Sequence, residues 1–135
     1  MATKFSPMPV PEQMSSAWLF FLLTTVFRDI HAFVRPGFVD QVLGGVVNGF
    51  VVTDQLLLIG GLVVTLPIAL IWLSRVLPKQ INRWANGLVA LMNLGFVLNT
   101  PHTALDERYF AVLHVLALVF IIWTAVRWQT VPQTS

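Results

Sequence analysis

The sequence predicts an all-α membrane protein: a four-transmembrane-helix bundle with a short re-entrant or interfacial segment between its first and second helices. Three observations predict it. Hydrophobic residues make up 56% of the 135 residues and charged residues only 10%, against ~25% charged in soluble domains. Six acids and eight bases cannot hydrate the surface of a soluble globule of this size, whereas a surface facing lipid needs no such cover. The chain also divides, at polar and proline-containing breaks, into apolar stretches near the ~20 residues that cross a bilayer.

The elements follow in order. Residues 1–14, with Pro7, Pro9 and Pro11, read as an extended N-terminal tail. Ser15 and Ser16 are candidate caps of a first helix that runs to about residue 34. Its uncharged part, 17–27, is short of a span, so Arg28, Asp29 and His31 belong to its last turns at the interface. Three prolines and Glu12 precede this stretch and no small-residue cleavage site follows, so it is expected to be retained rather than removed as a signal peptide.

Arg35-Pro36-Gly37 breaks the first helix. The uncharged core of the next segment, 41–53, is too short to cross, which makes it re-entrant or interfacial. Asp54 is the expected N-cap of the second helix, about 54–77, in which Pro67 should free the carbonyl of Val63. Thr65 is placed to help satisfy the disturbed backbone. Pro78-Lys79 turns the chain into a third helix, about 80–98, ended by Asn99-Thr100-Pro101. The fourth starts near Thr103 or Ala104 and ends at Arg127-Trp128. The four-helix domain is thus 15–128, followed by a C-terminal tail, 129–135.

Basic residues set the orientation. Lys4, Arg75, Lys79, Arg83 and Arg127 fall on one side, and Arg28, Arg35 and Arg108 on the other with most of the acids. The first side is therefore cytoplasmic, with both termini inside. Trp18, Trp72, Trp84, Trp123 and Trp128 all fall near the inner helix ends, as a one-sided aromatic belt. Without a Lys/Arg run there is no electrostatic basis for nucleic-acid binding. The absence of Cys removes disulfides and thiolate chemistry.

The candidate functional residues cluster in the outer half. Arg28 and His31 share a helix face, and Asp29 can pair with Arg28 or with Arg35. Together with Asp54, Asn99 and His114 they are candidates for a pocket that holds an anion or polar headgroup. The bland alternative is an interfacial ion pair that fixes helix depth. His114 is the one ionisable group well inside a clean span, 109–126, and such groups usually face the bundle interior. It is the candidate catalytic acid/base, or else a structural hydrogen-bonding partner. Glu107, seven residues earlier, shares its face. Asn82, Asn86 and Asn93 form one stripe on the third helix, and amides with small residues are common adhesive between membrane helices. Gly60 and Gly61 are assigned the same packing role. No recognised metal-ligand spacing, P-loop or GxSxG is present, and the sequence leaves any cofactor unknown.

Three stretches carry a family resemblance: Phe27-Arg28-Asp29-Ile30-His31 on to Arg35-Pro36-Gly37-Phe38; Pro67-Ile68-Ala69; and Leu73-Ser74-Arg75-Val76-Leu77-Pro78 continuing to Asn82-Arg83-Trp84-Ala85-Asn86. They resemble a family of small bacterial four-helix membrane proteins, domain of unknown function 6326, across most of the chain. The resemblance implies a multi-pass protein of the bacterial inner membrane and no particular activity. It also implies that relatives carry a Glu where this chain has Thr65 and another where it has His114, so an acid-dependent role is in doubt here. A looser architectural likeness to DoxX-like proteins rests on helix count alone.

The functional expectation is a membrane-embedded binding or accessory protein, self-associating, with a polar outer pocket for a hydrophobic small molecule. The rivals are an enzyme acting on a quinone- or isoprenoid-type substrate and a small transporter. The lack of an acid deep in any span counts against a transporter.

Overall fold

In a computed structural model, which describes residues 6–128, the chain is mostly helical, with five helices and one small hairpin. Four are long: α1 (Val10–Phe33), α3 (Asp54–Val76), α4 (Lys79–Asn99) and α5 (Leu105–Arg127). The fifth, α2 (Phe38–Leu43), is short and precedes strands β1 (Val46–Val47) and β2 (Phe50–Val51). The long helices pack in the cyclic order α1, α3, α4, α5. Two of them, α3 and α5, are long and apolar enough to cross a membrane.

The first helix starts earlier than the sequence suggested. Pro9 is its N-cap and Pro11 lies in its first turn, where a missing N–H costs nothing because that N–H has no intrahelical partner anyway. Residues 10–14 are therefore helical, and Met14 and Ser15 are buried core residues rather than a tail and a cap. The remaining tail residues at either end, 1–5 and 129–135, lie outside the described residues.

The segment after α1, expected as re-entrant or interfacial, is a short helix and a two-stranded antiparallel hairpin. Val46 pairs with Val51 and Val47 with Phe50, leaving Asn48-Gly49 as a two-residue turn. Both turn residues have positive φ, 51° and 83°. This is the type I′ pattern that Asn-Gly favours, because its twist matches that of the strands. The Asn48 N–H also donates to Gln41 Oε1 at 3.0 Å, tying the hairpin to α2.

Helix α3 begins as the sequence suggested, but its cap is Thr53, whose Oγ1 accepts from the Leu56 N–H at 3.1 Å; Asp54 is the first helical residue. Pro67 is buried within it. The Thr65 hydroxyl donates to the Gly61 carbonyl at 2.8 Å, not to the carbonyl of Val63. The buried residues of α3 are Pro67, Leu70 and Ser74, all in its second half. Its first half is mostly exposed, with Val63 half-buried, and a Cβ at Gly60 or Gly61 would meet no atom within 4 Å. Among the described residues no close helix approach is therefore seen at these two glycines, where the sequence suggested a packing role.

Helix α4 has an inverted distribution. It buries Asn82, Asn86, Ala90 and Asn93 while exposing Ile81, Trp84, Leu88, Leu91 and Phe96. The buried amides are all engaged. Asn86 Oδ1 accepts from the Trp18 indole N–H of α1 at 2.7 Å and from the Ser74 hydroxyl of α3 at 3.0 Å. Asn86 Nδ2 donates to the Asn82 carbonyl at 2.8 Å, and Asn82 Nδ2 donates to the Ser74 carbonyl at 2.6 Å. Nearby, the Ser15 hydroxyl of α1 donates to the Ile71 carbonyl at 2.6 Å and accepts from Arg75 Nε at 3.2 Å. Trp18 is thus a wholly buried core residue and no part of an exposed aromatic belt, whereas Trp72, Trp84 and Trp123 are exposed. Arg83 and Arg127 lie over the rings of Trp84 and Trp123 at 5.6 and 4.6 Å.

Replacing Asn86 by Ala strands two buried donors, the Trp18 N–H and the Ser74 hydroxyl, and should cost ~2–4 kcal/mol. Gly60→Ala, in open space, should lose nothing and gain up to ~1 kcal/mol in helix propensity. Reversible unfolding in mixed micelles measures both, and comparable destabilisation by the two substitutions would contradict the assignment.

Candidate functional site

The end of the bundle opposite the asparagine network holds a cleft of about 840 Å³. It lies between the last turns of α1, the α2–hairpin segment, the start of α3 and the loop joining α4 to α5. Its lining is mixed: the α2–hairpin segment and the start of α3 contribute Phe38, Val47, Phe50, Val52 and Leu56 along with the polar Gln41 and Asn48, and the charged or ring-nitrogen groups Arg28, Asp29, Arg35, His102 and Glu107 come from α1, the turn after it, the α4–α5 loop and α5.

The polar part of the lining is built by short-range rules. Phe33 ends α1, and Gly37, at φ 81°, is the N-cap of α2; this turn carries Arg35 toward α5. Its guanidinium makes two salt bridges, to Asp106 Oδ2 and to Glu107 Oε1, both at 2.6 Å. The second oxygen of Glu107 accepts from the backbone N–H groups of Thr103 at 2.9 Å and Ala104 at 3.1 Å. Glu107 therefore caps the N-terminus of α5 in the manner of an N3 glutamate while it anchors the α1–α2 turn. The Glu107 hydrogen bond above all, with the charges of both acids, raises the Arg35 pKa above its ordinary value against the opposing effect of desolvation.

Arg28 pairs with its neighbour Asp29 through Nε and Nη2, both on Oδ1, at 3.1 and 2.8 Å. The Arg35 partnership with Asp106 and Glu107 leaves Arg28 as the partner of Asp29, one of the two pairings the sequence left open. His102 Nε2 lies 2.9 Å from the Val97 carbonyl, which makes that nitrogen the donor.

Of the residues singled out from the sequence, the cleft gathers Arg28 and Asp29. His31 is exposed at the end of α1, with Nδ1 2.8 Å from the Phe27 carbonyl and its ring edge-on to Phe110. Asp54 and Asn99 are exposed, and Asn99 donates to the Gly95 carbonyl at 2.7 Å. His114 is buried in the bundle and does not line the cleft. Its Nε2 is 3.3 Å from Thr25 Oγ1, and its ring meets Phe21 edge-on at 5.1 Å between centroids. The Thr25 hydroxyl is also 2.8 Å from the Phe21 carbonyl. With the hydroxyl proton on that shorter bond, the histidine donates to Thr25, and its ring is packed within the bundle. Glu107 does not bridge to His114.

Sequence reasoning named Arg35 as a possible partner of Asp29 and Glu107 as a residue on the His114 face, but missed the pairing of Arg35 with Asp106 and Glu107, the place of His102 in the cleft lining, and Thr25. The Thr-x-x-x-Glu spacing of Thr103 and Glu107 and the Asn48-Gly49 dipeptide were signals for two parts of the lining; nothing local points from Thr25 to His114. Among the described residues no three His, Asp or Glu side chains gather closely enough to hold a metal ion.

Fold and site together define a helical-bundle protein with an amphipathic cleft at one end. The chain belongs to a family of unknown function, DUF6326, which it matches over residues 11–134. No curated protein and no solved structure shows significant similarity to it.

Arg35→Met should detach the α1–α2 turn from α5. In a double-mutant cycle with Glu107→Gln the coupling should be about 1 kcal/mol, the scale of a partly exposed network. A coupling indistinguishable from zero would show that the two residues are merely neighbours.

Proposed function

We infer that this chain is a four-span protein of the bacterial inner membrane whose outer cleft binds an amphiphilic small molecule, a binding or accessory role rather than a catalytic one. The observation that carries the reading is the cleft's mixed lining, apolar residues from the α2–hairpin segment and the start of α3 beside ionic residues from the end of α1, the following turn and α5, at the end of a bundle whose outer surface is apolar.

Helix lengths support the four-span part. The long helices have 24, 23, 21 and 23 residues, and at ~1.5 Å per residue each reaches or exceeds the ~30 Å of a hydrocarbon core. Two of the four are less apolar in sequence for an identifiable reason: α4 spends its polar residues inward, on the network around Asn86, and α1 does so in part through Ser15 and Thr25. What α4 presents outward is Leu, Ile, Phe and Trp. Water would penalise that arrangement, since burying amides and exposing leucines reverses the hydrophobic driving force. Hydrocarbon favours it. The first half of α3, apolar and uncovered, fits lipid as its neighbour in the same way.

The chain lacks cysteine, so single-cysteine labelling has no background. Asn48→Cys should react with an impermeant maleimide in intact cells, and Lys79→Cys only after permeabilisation. Labelling of both from one side would contradict the topology.

For the binding role, Ala32→Trp should fill the cleft without touching the asparagine network. Native mass spectrometry of the purified chain should show an amphiphile retained by wild type and at least ~10-fold less by this variant, the effect of losing ~1.4 kcal/mol or more. Retention that is unchanged when the cleft is filled would overturn the reading.

A further inference from the structure

Charge balance in the cleft narrows the class of ligand. Its lining carries two cations, Arg28 and Arg35, and two anions, Asp29 and Glu107. Arg35 is committed, because two carboxylates hold it and one of them also caps α5. The cleft therefore presents no net positive field, and a simple anion entering it gains no uncompensated cation. Arg28–Asp29 differs. It is a pair of adjacent residues with side chains 35% and 60% exposed, and such pairs contribute little to stability and open at small cost. Both Arg28 contacts fall on a single Asp29 oxygen, Oδ1, which leaves Oδ2 as an acceptor for a further donor.

We propose, building on the binding role above, that the cleft recognises a phosphate–ammonium zwitterion carried on a lipid, with the ligand's phosphate meeting Arg28 and its ammonium meeting Asp29. Two opposite charges brought to an opposed pair form an alternating set of four, in which each protein charge gains a partner and net charge is unchanged. The headgroup hydrogen bonds are charge-assisted at both ends. The apolar part of the lining supplies the rest: Phe38 and Phe50 flank the headgroup region, and Leu56 leads onto the uncovered first half of α3, along which acyl chains leave the cleft for the hydrocarbon.

The test uses the full-length chain in nanodiscs and native mass spectrometry with three competing phospholipids of matched chains: phosphatidylethanolamine, phosphatidylglycerol and phosphatidylcholine. Retention should favour phosphatidylethanolamine, whose ammonium donates hydrogen bonds, by ~10-fold over the anionic lipid, the discrimination expected of one charge-assisted contact. Asp29→Asn should abolish the preference and Asp29→Glu should largely restore it. Soluble glycerophosphoethanolamine should compete weakly; competition equal to that of the whole lipid would assign the site to a soluble zwitterion and overturn the lipid assignment. Equal retention of phosphatidylglycerol, still lost in Ala32→Trp, would overturn the zwitterion while leaving the binding role intact. Retention of no amphiphile at all would remove the binding role itself.

Discussion

The side-chain amide of Asn86 is the interaction on which the rest of the bundle depends. Its oxygen takes one hydrogen bond from Trp18 on α1 and one from Ser74 on α3, while it stands on α4 itself. Three of the four long helices are thus fixed at one point where none has any exposure to solvent. Apolar side chains give a bundle its attraction but little rotational or axial register, because one leucine contact resembles another. A buried amide is directional, and leaving it or its donors unpaired is costly. The network sets which faces of α1, α3 and α4 turn inward, and with them which residues reach the far end.

How much of this was legible in the sequence depends on the range of the interaction. Helix positions were readable from apolar runs and proline breaks, and the buried Asn82-Asn86 stripe from its spacing. Thr53 and Asp54 are adjacent and both can cap, so composition could not decide between them; the hydroxyl geometry did. The helical turn at 10–14 was hidden because prolines that read as extended chain are equally at home in a first helical turn. The hairpin was readable in principle from Asn48-Gly49 between valine and phenylalanine, but the same apolar residues also suit a short membrane-dipping segment. Arg35 with Asp106 and Glu107, Trp18 with Asn86, and Thr25 with His114 join residues some 70 to 90 positions apart. No local pattern encodes such pairings, and the candidate pocket therefore changed membership: Arg28 and Asp29 stayed, while His114 moved into the packing.

The two ends of the molecule handle polarity in opposite ways. At the Asn86 end the buried polar atoms are neutral amides, an indole and hydroxyls that satisfy one another, with the Arg75 charge at their edge, and among the described residues no buried side-chain nitrogen or oxygen lacks a partner. At the cleft end they are charged, partly exposed and arranged as ion pairs. Neutral amides tolerate an apolar interior; full charges keep contact with a polar medium. That division separates a structural pole from a pole where a visiting molecule can exchange partners.

Pro67 divides α3 into an arm that is gripped and an arm that is not, since every buried residue of that helix lies at or beyond the proline. A rod clamped at one end is displaced most at its other, and here the far end carries Leu56, part of the cleft wall. That portion of the cleft is thus built on the stretch of α3 farthest from the residues that hold the helix in the bundle, and its position owes least to the core.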